Sequence, residues 1–322
     1  MSHASLMLVA RATEALPGFT AVRVMEASTD LMRQALVEDA EGHTWLVELP
    51  RSQDEEASHR DRVLVARAIG EGLRSRLPFS VPRVAGHADV RGRTLTVTPW
   101  LPGERPRGAR LSPELIESMA HAIAALHQIP ASALYDQGRP VLSALDSMRA
   151  AAQIVDRAAR TTLLPQALLR RWEAAYEDHA LWHFEPTIVH GALHLGSFLC
   201  EGNQVTAVTG WRQLHVGDPA KDLAWLTGPT MKDTLDHARA AYLRARPDSD
   251  RHLFQRARFW AELDLARWLL HGLDTRDEAM VDEATDLIHS LSDRISGDLE
   301  HTLTEPITQQ PHPLAQERQR ED

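Results

Sequence analysis

Residues 187–225, TIVHGALHLGSFLCEGNQVTAVTGWRQLHVGDPAKDLAW, constrain the fold more than any other stretch of the chain. Their pattern is strand, loop, strand, turn, strand, loop, helix. Two short apolar runs, 197–200 and 205–208, flank Glu201-Gly202-Asn203-Gln204, a four-residue segment whose composition suits a hairpin turn. One adjoining loop carries His190, Gly191 and His194, and the other carries His215, Asp218 and Asp222. A hairpin brings two such loops together at one end, and functional groups concentrate on loops held by a rigid scaffold. The three histidines could meet there around a zinc ion, although a chain with 17 histidines offers many such groupings.

The length of 322 residues suits one large domain or two coupled lobes, and 43% hydrophobic residues supply an ample core. A formal net charge of -10 argues against a general nucleic-acid surface and fits cationic ligands. The single cysteine, Cys200, excludes a disulfide framework. No apolar run approaches the ~20 residues of a membrane span, and residues 1–18 lack the pattern of a signal peptide. The expectation is a cytoplasmic protein without membrane or nucleic-acid partners. Lysine occurs only at 221 and 232, so the first two-thirds of the chain has no lysine.

Taken in order, residues 6–15 read as a helix, and 19–24, 33–39 and 43–49 as strands, with Glu41-Gly42 turning the second into the third. In the last of these, alternation puts Leu46 and Glu48 on one face. A helix over 54–73 follows, in which Arg60 or Arg62 is a candidate partner for Glu48 and solvation of both is the plainer expectation. Strands are expected at 83–88 and 94–98, then a Pro-rich linker, Pro99 to Gly103. Helices follow from Ser112-Pro113 to near Pro130, over 142–159 and 165–184, then at 231–244, 250–273 and 276–296. His127, near the end of the first, reads as a packing or capping residue. The charged, Pro- and Gln-rich residues 305–322 are expected to be disordered.

The loops carry a family resemblance. His190-Gly191-Ala192-Leu193-His194-Leu195-Gly196-Ser197 resembles the H-G-D-x-H-x-x-N catalytic loop of aminoglycoside and macrolide phosphotransferases. Thr209-Gly210-Trp211 resembles their I-D-W metal segment, and Gly217-Asp218-Pro219-Ala220-Lys221-Asp222-Leu223-Ala224 their G-D-P-x-x-D-L-A element. The resemblance implies an α+β, two-lobed protein-kinase-like fold. Its small antiparallel-sheet lobe would span 1–99, its large helical lobe 100–304, and a tail 305–322. It also implies a hinge near Thr98 and Trp100 that meets a nucleotide base, although a linker without a ligand fits the same residues. ATP or GTP with Mg²⁺ are the cofactors of intact members.

Three positions that carry the family's chemistry are changed. Ala192 stands at the catalytic aspartate, Ser197 at the metal-binding asparagine and Gly210 at the metal-binding aspartate. Glu48 stands where the phosphate-holding lysine belongs. Of the remainder, His190, His194, Asp218 and Asp222 are retained. His194 is a candidate replacement base, but the family itself often has His there beside the aspartate, so a role in placing the loop is the favoured reading. Asp218 could serve a displaced metal site. In the family Asp218 and Asp222 mainly brace the catalytic loop and begin the next helix, and Asp222 also has a structural explanation beside helix N-terminal amides. Phosphoryl transfer depends on positioning and charge neutralisation, and a general base contributes ~10²–10⁴-fold. Losing base, metal ligands and lysine together implies a degenerate, pseudokinase-like member that needs no cofactor and binds a small molecule or a protein partner. The alternative is an active ATP- or GTP-dependent small-molecule O-phosphotransferase with relocated residues.

Overall fold

The computed structural model describes residues 3–106, 111–228, 231–296 and 303. The elements run α1 (His3–Ala15), β1 (Ala21–Glu26), β2 (Met32–Asp39), β3 (Thr44–Pro50), α2 (Gln53–Ala68), α3 (Glu71–Arg74), β4 (Gly86–Val90), β5 (Arg93–Pro99) and α4 (Pro113–His127). They continue α5 (Ala144–Ala159), α6 (Gln166–Glu177), β6 (Thr187–Val189), β7 (Phe198–Glu201), β8 (Gln204–Val208), β9 (His215–Gly217) and α7 (Ala220–Leu223). The chain closes with α8 (Lys232–Ala245), α9 (Leu253–Thr275) and α10 (Glu278–Ser296). The tail expected at 305–322 lies outside the described residues. No helix among the described residues is long and apolar enough to cross a membrane.

Two compact units divide this order: residues 1–142 with 186–247, and residues 143–185 with 248–322. The boundary expected after residue 99 falls inside the first unit, which holds the sheet, the linker and the hairpin together.

In the first unit, β1 to β5 form an antiparallel sheet of order β1-β2-β3-β5-β4. Period-2 alternation gives each strand two faces. Ala35, Val37, Val47, Leu49, Leu95 and Val97 point to one face, where Leu8, Ala12 and Ala15 of α1 cover them. The opposite face carries a polar row, Gln34–Glu48–Thr96, paired directly across β2, β3 and β5. Onto this face α2 sets Glu56, which accepts from the Thr94 amide and hydroxyl at 2.8 and 2.7 Å. His59 follows, its Nε2 3.3 Å from Thr96 Oγ1. A sheet clothed by a helix on each face is a stable layered solution.

The short pairs β6–β9 and β7–β8 supply the loops of interest. The β7–β8 turn is Gly202-Asn203, two residues rather than four, because Glu201 and Gln204 join the ladder and Gly202 takes φ 57°. The linker and the segment before β4 grip the hairpin from both sides. Ser80 bonds the backbones of Thr206 and Val208, and Glu104 exchanges two backbone bonds with Cys200.

Three expected elements end elsewhere. The helix expected over 54–73 splits into α2 and α3, since Ile69 leaves helical geometry at ψ 75° and Gly70 is extended. The strand expected from Arg83 begins at Gly86, the chain before it being spent beside β8. The helix expected to reach Phe184 stops at Glu177.

The second unit is helical. Ser143 and Asp146 form a reciprocal capping box at the start of α5, and α9 packs against α5 and α10. Within it Glu262 receives Arg171 and Trp172 Nε1, the latter at 2.9 Å. The fully buried Arg256 forms a fork onto Asp250 at 2.7 and 2.8 Å, which satisfies a charge that burial alone would forbid.

Candidate functional site

The loop 190–197 leaves β6 and enters β7, so its start and finish are set by two short strands. Its backbone is held from below by one carboxylate. Asp222 accepts the His190 amide at 2.7 Å and the Gly191 amide at 2.8 Å. It also meets His127 Nε2 at 3.2 Å. Asp222 therefore braces the loop, whereas the helix-terminus role expected for it belongs to Asp218, which accepts the Ala220 amide at 3.0 Å. Both aspartates are fully buried.

The brace continues inward. His127 Nδ1 meets the Tyr242 hydroxyl at 2.7 Å, and Arg246 Nη1 donates to that oxygen at 3.1 Å. Burial pushes the His127 imidazole below its ordinary value against the pull of Asp222. Burial also opposes the Asp222 charge, yet the hydrogen bond and field of His127 and the charge of His190 hold this carboxyl low. The consistent assignment is an ionised Asp222 and a neutral His127 that donates through Nε2 and accepts at Nδ1. His127 is thus a structural link to the loop rather than a plain packing residue.

The His190 ring lies 4.7 Å from the Trp211 ring, tilted 52° to it, and donates through Nε2 to the Thr209 carbonyl at 2.9 Å. His215 bonds the Gln213 carbonyl at 2.6 Å. The second nitrogen of each, His190 Nδ1 and His215 Nε2, finds no partner among the described residues. Burial lowers the proton affinity of both rings. Among the described residues no three His, Cys, Asp or Glu groups come together to hold a metal, so the three loop histidines form no zinc site.

Gly191 takes φ 83°, and a Cβ there would stand 2.4 Å from the Gln213 carbonyl oxygen. Gly191→Ala is therefore expected to cost ~2 kcal/mol or more in a denaturant titration. A loss below about 0.5 kcal/mol, the size of an ordinary surface change, would show that the loop yields without cost.

The changed positions converge. Gly210, at φ 90°, directs its missing Cβ to 3.6 Å from His190 Cε1 and 3.7 Å from Ser197 Oγ. Ser197 is buried, and its Oγ accepts the His194 amide at 3.3 Å. Ala192 is exposed at the loop crest. Mg²⁺ prefers hard oxygen ligands, one or two of them carboxylates, in octahedral array. One hydroxyl occupied within the loop does not fit that requirement. Glu48 accepts from Gln34 Nε2 at 2.7 Å. Arg60 instead pairs with Glu56 at 2.5 Å, and Arg62 lies 3.0 Å from His59 Nδ1, so neither forms the ion pair considered for Glu48.

Thr98 and Trp100 part company at the linker. Thr98 pairs with Leu46 on the sheet. Trp100 is 49% exposed and lines a separate cleft of about 600 Å³ with Arg74, Phe79 and Arg83. Two tethers escaped the sequence reading. Arg139 joins Asp61 of α2, at 3.6 Å, to the carbonyls of Arg212 and Leu214, both at 3.0 Å. Arg105 reaches the Gly196 carbonyl at 2.7 Å. Neither arginine lies in a motif, and both contacts span about 70 residues or more of sequence, so no local signal announces them.

Comparison with known proteins agrees with this geometry. The model of the phosphotransferase enzyme family (APH) matches residues 32–260. The uncharacterized protein YcbJ of Bacillus subtilis (strain 168) is 26% identical over 204 residues, 57% of this chain and 62% of that protein. The match thus spans less than two thirds of that relative. The solved macrolide 2'-phosphotransferase MphH from Brachybacterium faecium superposes with TM-score 0.72 over 88% of this chain and 97% of its own, at 24% identity. Wild-type aminoglycoside 2'-phosphotransferase-IIIa, solved with GDP, gives 0.68 over 90% and 99%, at 15% identity. At these identities the likeness shows the fold, a kinase-like α+β architecture.

Proposed function

Because the chain belongs to the phosphotransferase enzyme family, we propose that it is a member that has kept the scaffold and binds a small molecule or partner protein without transferring phosphate. One observation carries this reading. A Cβ on Gly210 would stand 3.7 Å from Ser197 Oγ, so the two positions that match the family's metal ligands adjoin, and neither supplies a carboxylate or amide. Ala192 at the loop crest supplies no base, and Glu48 sets a carboxylate where a phosphate would need a cation. Groups that act as a unit also fail as a unit, so one relocated residue does not restore the reaction.

A thermal-shift titration with ATP and GTP, each with and without Mg²⁺, tests it alongside a phosphoryl-transfer assay on macrolides and aminoglycosides. The expected result is no transfer and no Mg²⁺-dependent shift. A ligand at 100 times its Kd adds ~2.7 kcal/mol, which moves the midpoint of a chain this size by several degrees. A Mg²⁺-dependent shift of that size with turnover would replace this reading by an active O-phosphotransferase that uses His194 or another relocated base.

A further inference from the structure

Nitrogen donors flank the loop whose motif positions lack oxygen ligands. Arg105 Nη1 donates to the Gly196 carbonyl at 2.7 Å, inside the loop. Its backbone is fixed there: Glu104 exchanges bonds of 2.9 and 2.8 Å with Cys200. Gly103, at φ 96°, packs so closely that a Cβ would stand 2.4 Å from Thr206 Oγ1. The Gly196 amide in turn donates to His194 Nδ1 at 3.1 Å. With Nδ1 accepting, the proton of the neutral ring lies on Nε2, on the side away from that bond. A Cβ on Gly196 would lie 3.0 Å from His194 Cε1 and 3.5 Å from Arg105 Nη1, so both side chains close over this glycine. Arg105 and His194 are exposed, and Arg105 takes part in no ion pair among the described residues.

From this juxtaposition we infer that the loop binds a phosphoryl oxyanion directly, without a divalent metal, through the Arg105 guanidinium and the His194 Nε2–H. The inference rests on the reading that the site binds and does not transfer phosphate. The change of charge explains it. An aspartate at 192 or 210 beside an unshielded phosphoryl group would repel it, and a metal would be needed between them. Ala192 and Gly210 remove that repulsion, and an arginine fork offers several N–H groups to the tetrahedral oxygens. A phosphate ester and free phosphate share this chemistry.

Calorimetric titration of the full chain with phenyl phosphate and with inorganic phosphate, in EDTA and again in Mg²⁺, tests it on the wild type, Arg105→Ala and His194→Ala. Both variants alter exposed side chains, and unchanged thermal midpoints confirm their folding. The expected result is binding that EDTA leaves intact and that weakens ~10-fold or more in Arg105→Ala, as loss of a charge-assisted bond implies, with a smaller loss in His194→Ala. Tighter phenyl phosphate than phosphate identifies an ester as the ligand, and parity identifies the free anion. Binding that requires Mg²⁺ overturns this inference, and the proposed function falls with it where phosphoryl transfer accompanies that binding. Absence of binding, or binding equal in all three proteins, overturns the inference alone.

Discussion

Taking the chain from pH ~7.5 to pH ~5 is expected to destabilise it through its buried histidines. His59, His127, His190 and His215 are all buried. Each is held below its ordinary proton affinity, with burial the leading cause, and His59 is brought down to about 4. In the unfolded chain these rings protonate near ~6.5. Between there and their folded values the unfolded state binds more protons, so stability is complete above ~6.5 and drains away as the pH falls. Each such group is worth at most ~1.4 kcal/mol per pH unit, which gives His59 alone 1–2 kcal/mol by pH ~5. Against a typical total of ~5–15 kcal/mol the His59 contribution alone is measurable, and the other three rings act in the same direction. Urea titrations at half-unit steps would measure the slope. A flat profile from pH ~6.5 to ~5 would mean that these rings protonate in the folded chain.

Replacing Asp222 with alanine is expected to cost ~3–5 kcal/mol, or to prevent folding of the unit that contains it. The carboxylate satisfies three groups, the His190 and Gly191 amides and His127 Nε2, in a fully buried setting. Without it, two amide donors are left without acceptors and the His127–Tyr242 link loses its anchor. Asp222→Asn keeps the shape and an accepting oxygen but loses the charge and half of the accepting capacity, so its cost should fall between alanine and wild type. The denaturation midpoint together with near-ultraviolet dichroism of Trp211, whose ring packs against His190, separates local loss of the loop from global loss. A cost under about 1 kcal/mol for alanine would show that the loop holds its path unaided.

The hairpin and its loops were legible because they are local. Residues 205–208 form a short apolar run, Gly202 marks a reversal, and the spacing of His190, Gly210 and Asp218 falls within 39 residues of contiguous sequence. The sheet was legible for the same reason: Val47, Leu49 and Leu95, Val97 recur at period two. Boundaries were less so. The sequence reading carried the helix past Gly70, the glycine that follows the end of α2, and the departure of 77–85 toward β8 depends on Ser80 finding the backbone of Thr206 and Val208.

Residue identity alone shows where the chain departs from the motif, at Ala192, Ser197, Gly210 and Glu48, wherever the fold places them. Tertiary structure alone decided what surrounds them. That Asp222 spends its charge on the loop, that Gln34 occupies Glu48, and that Arg105 arrives at Gly196 are encounters between residues 14 to 91 positions apart. Hydrogen bonds of that span have no period and no spacing rule. They exist only once a packed core has brought the strands and loops within 3 Å of one another.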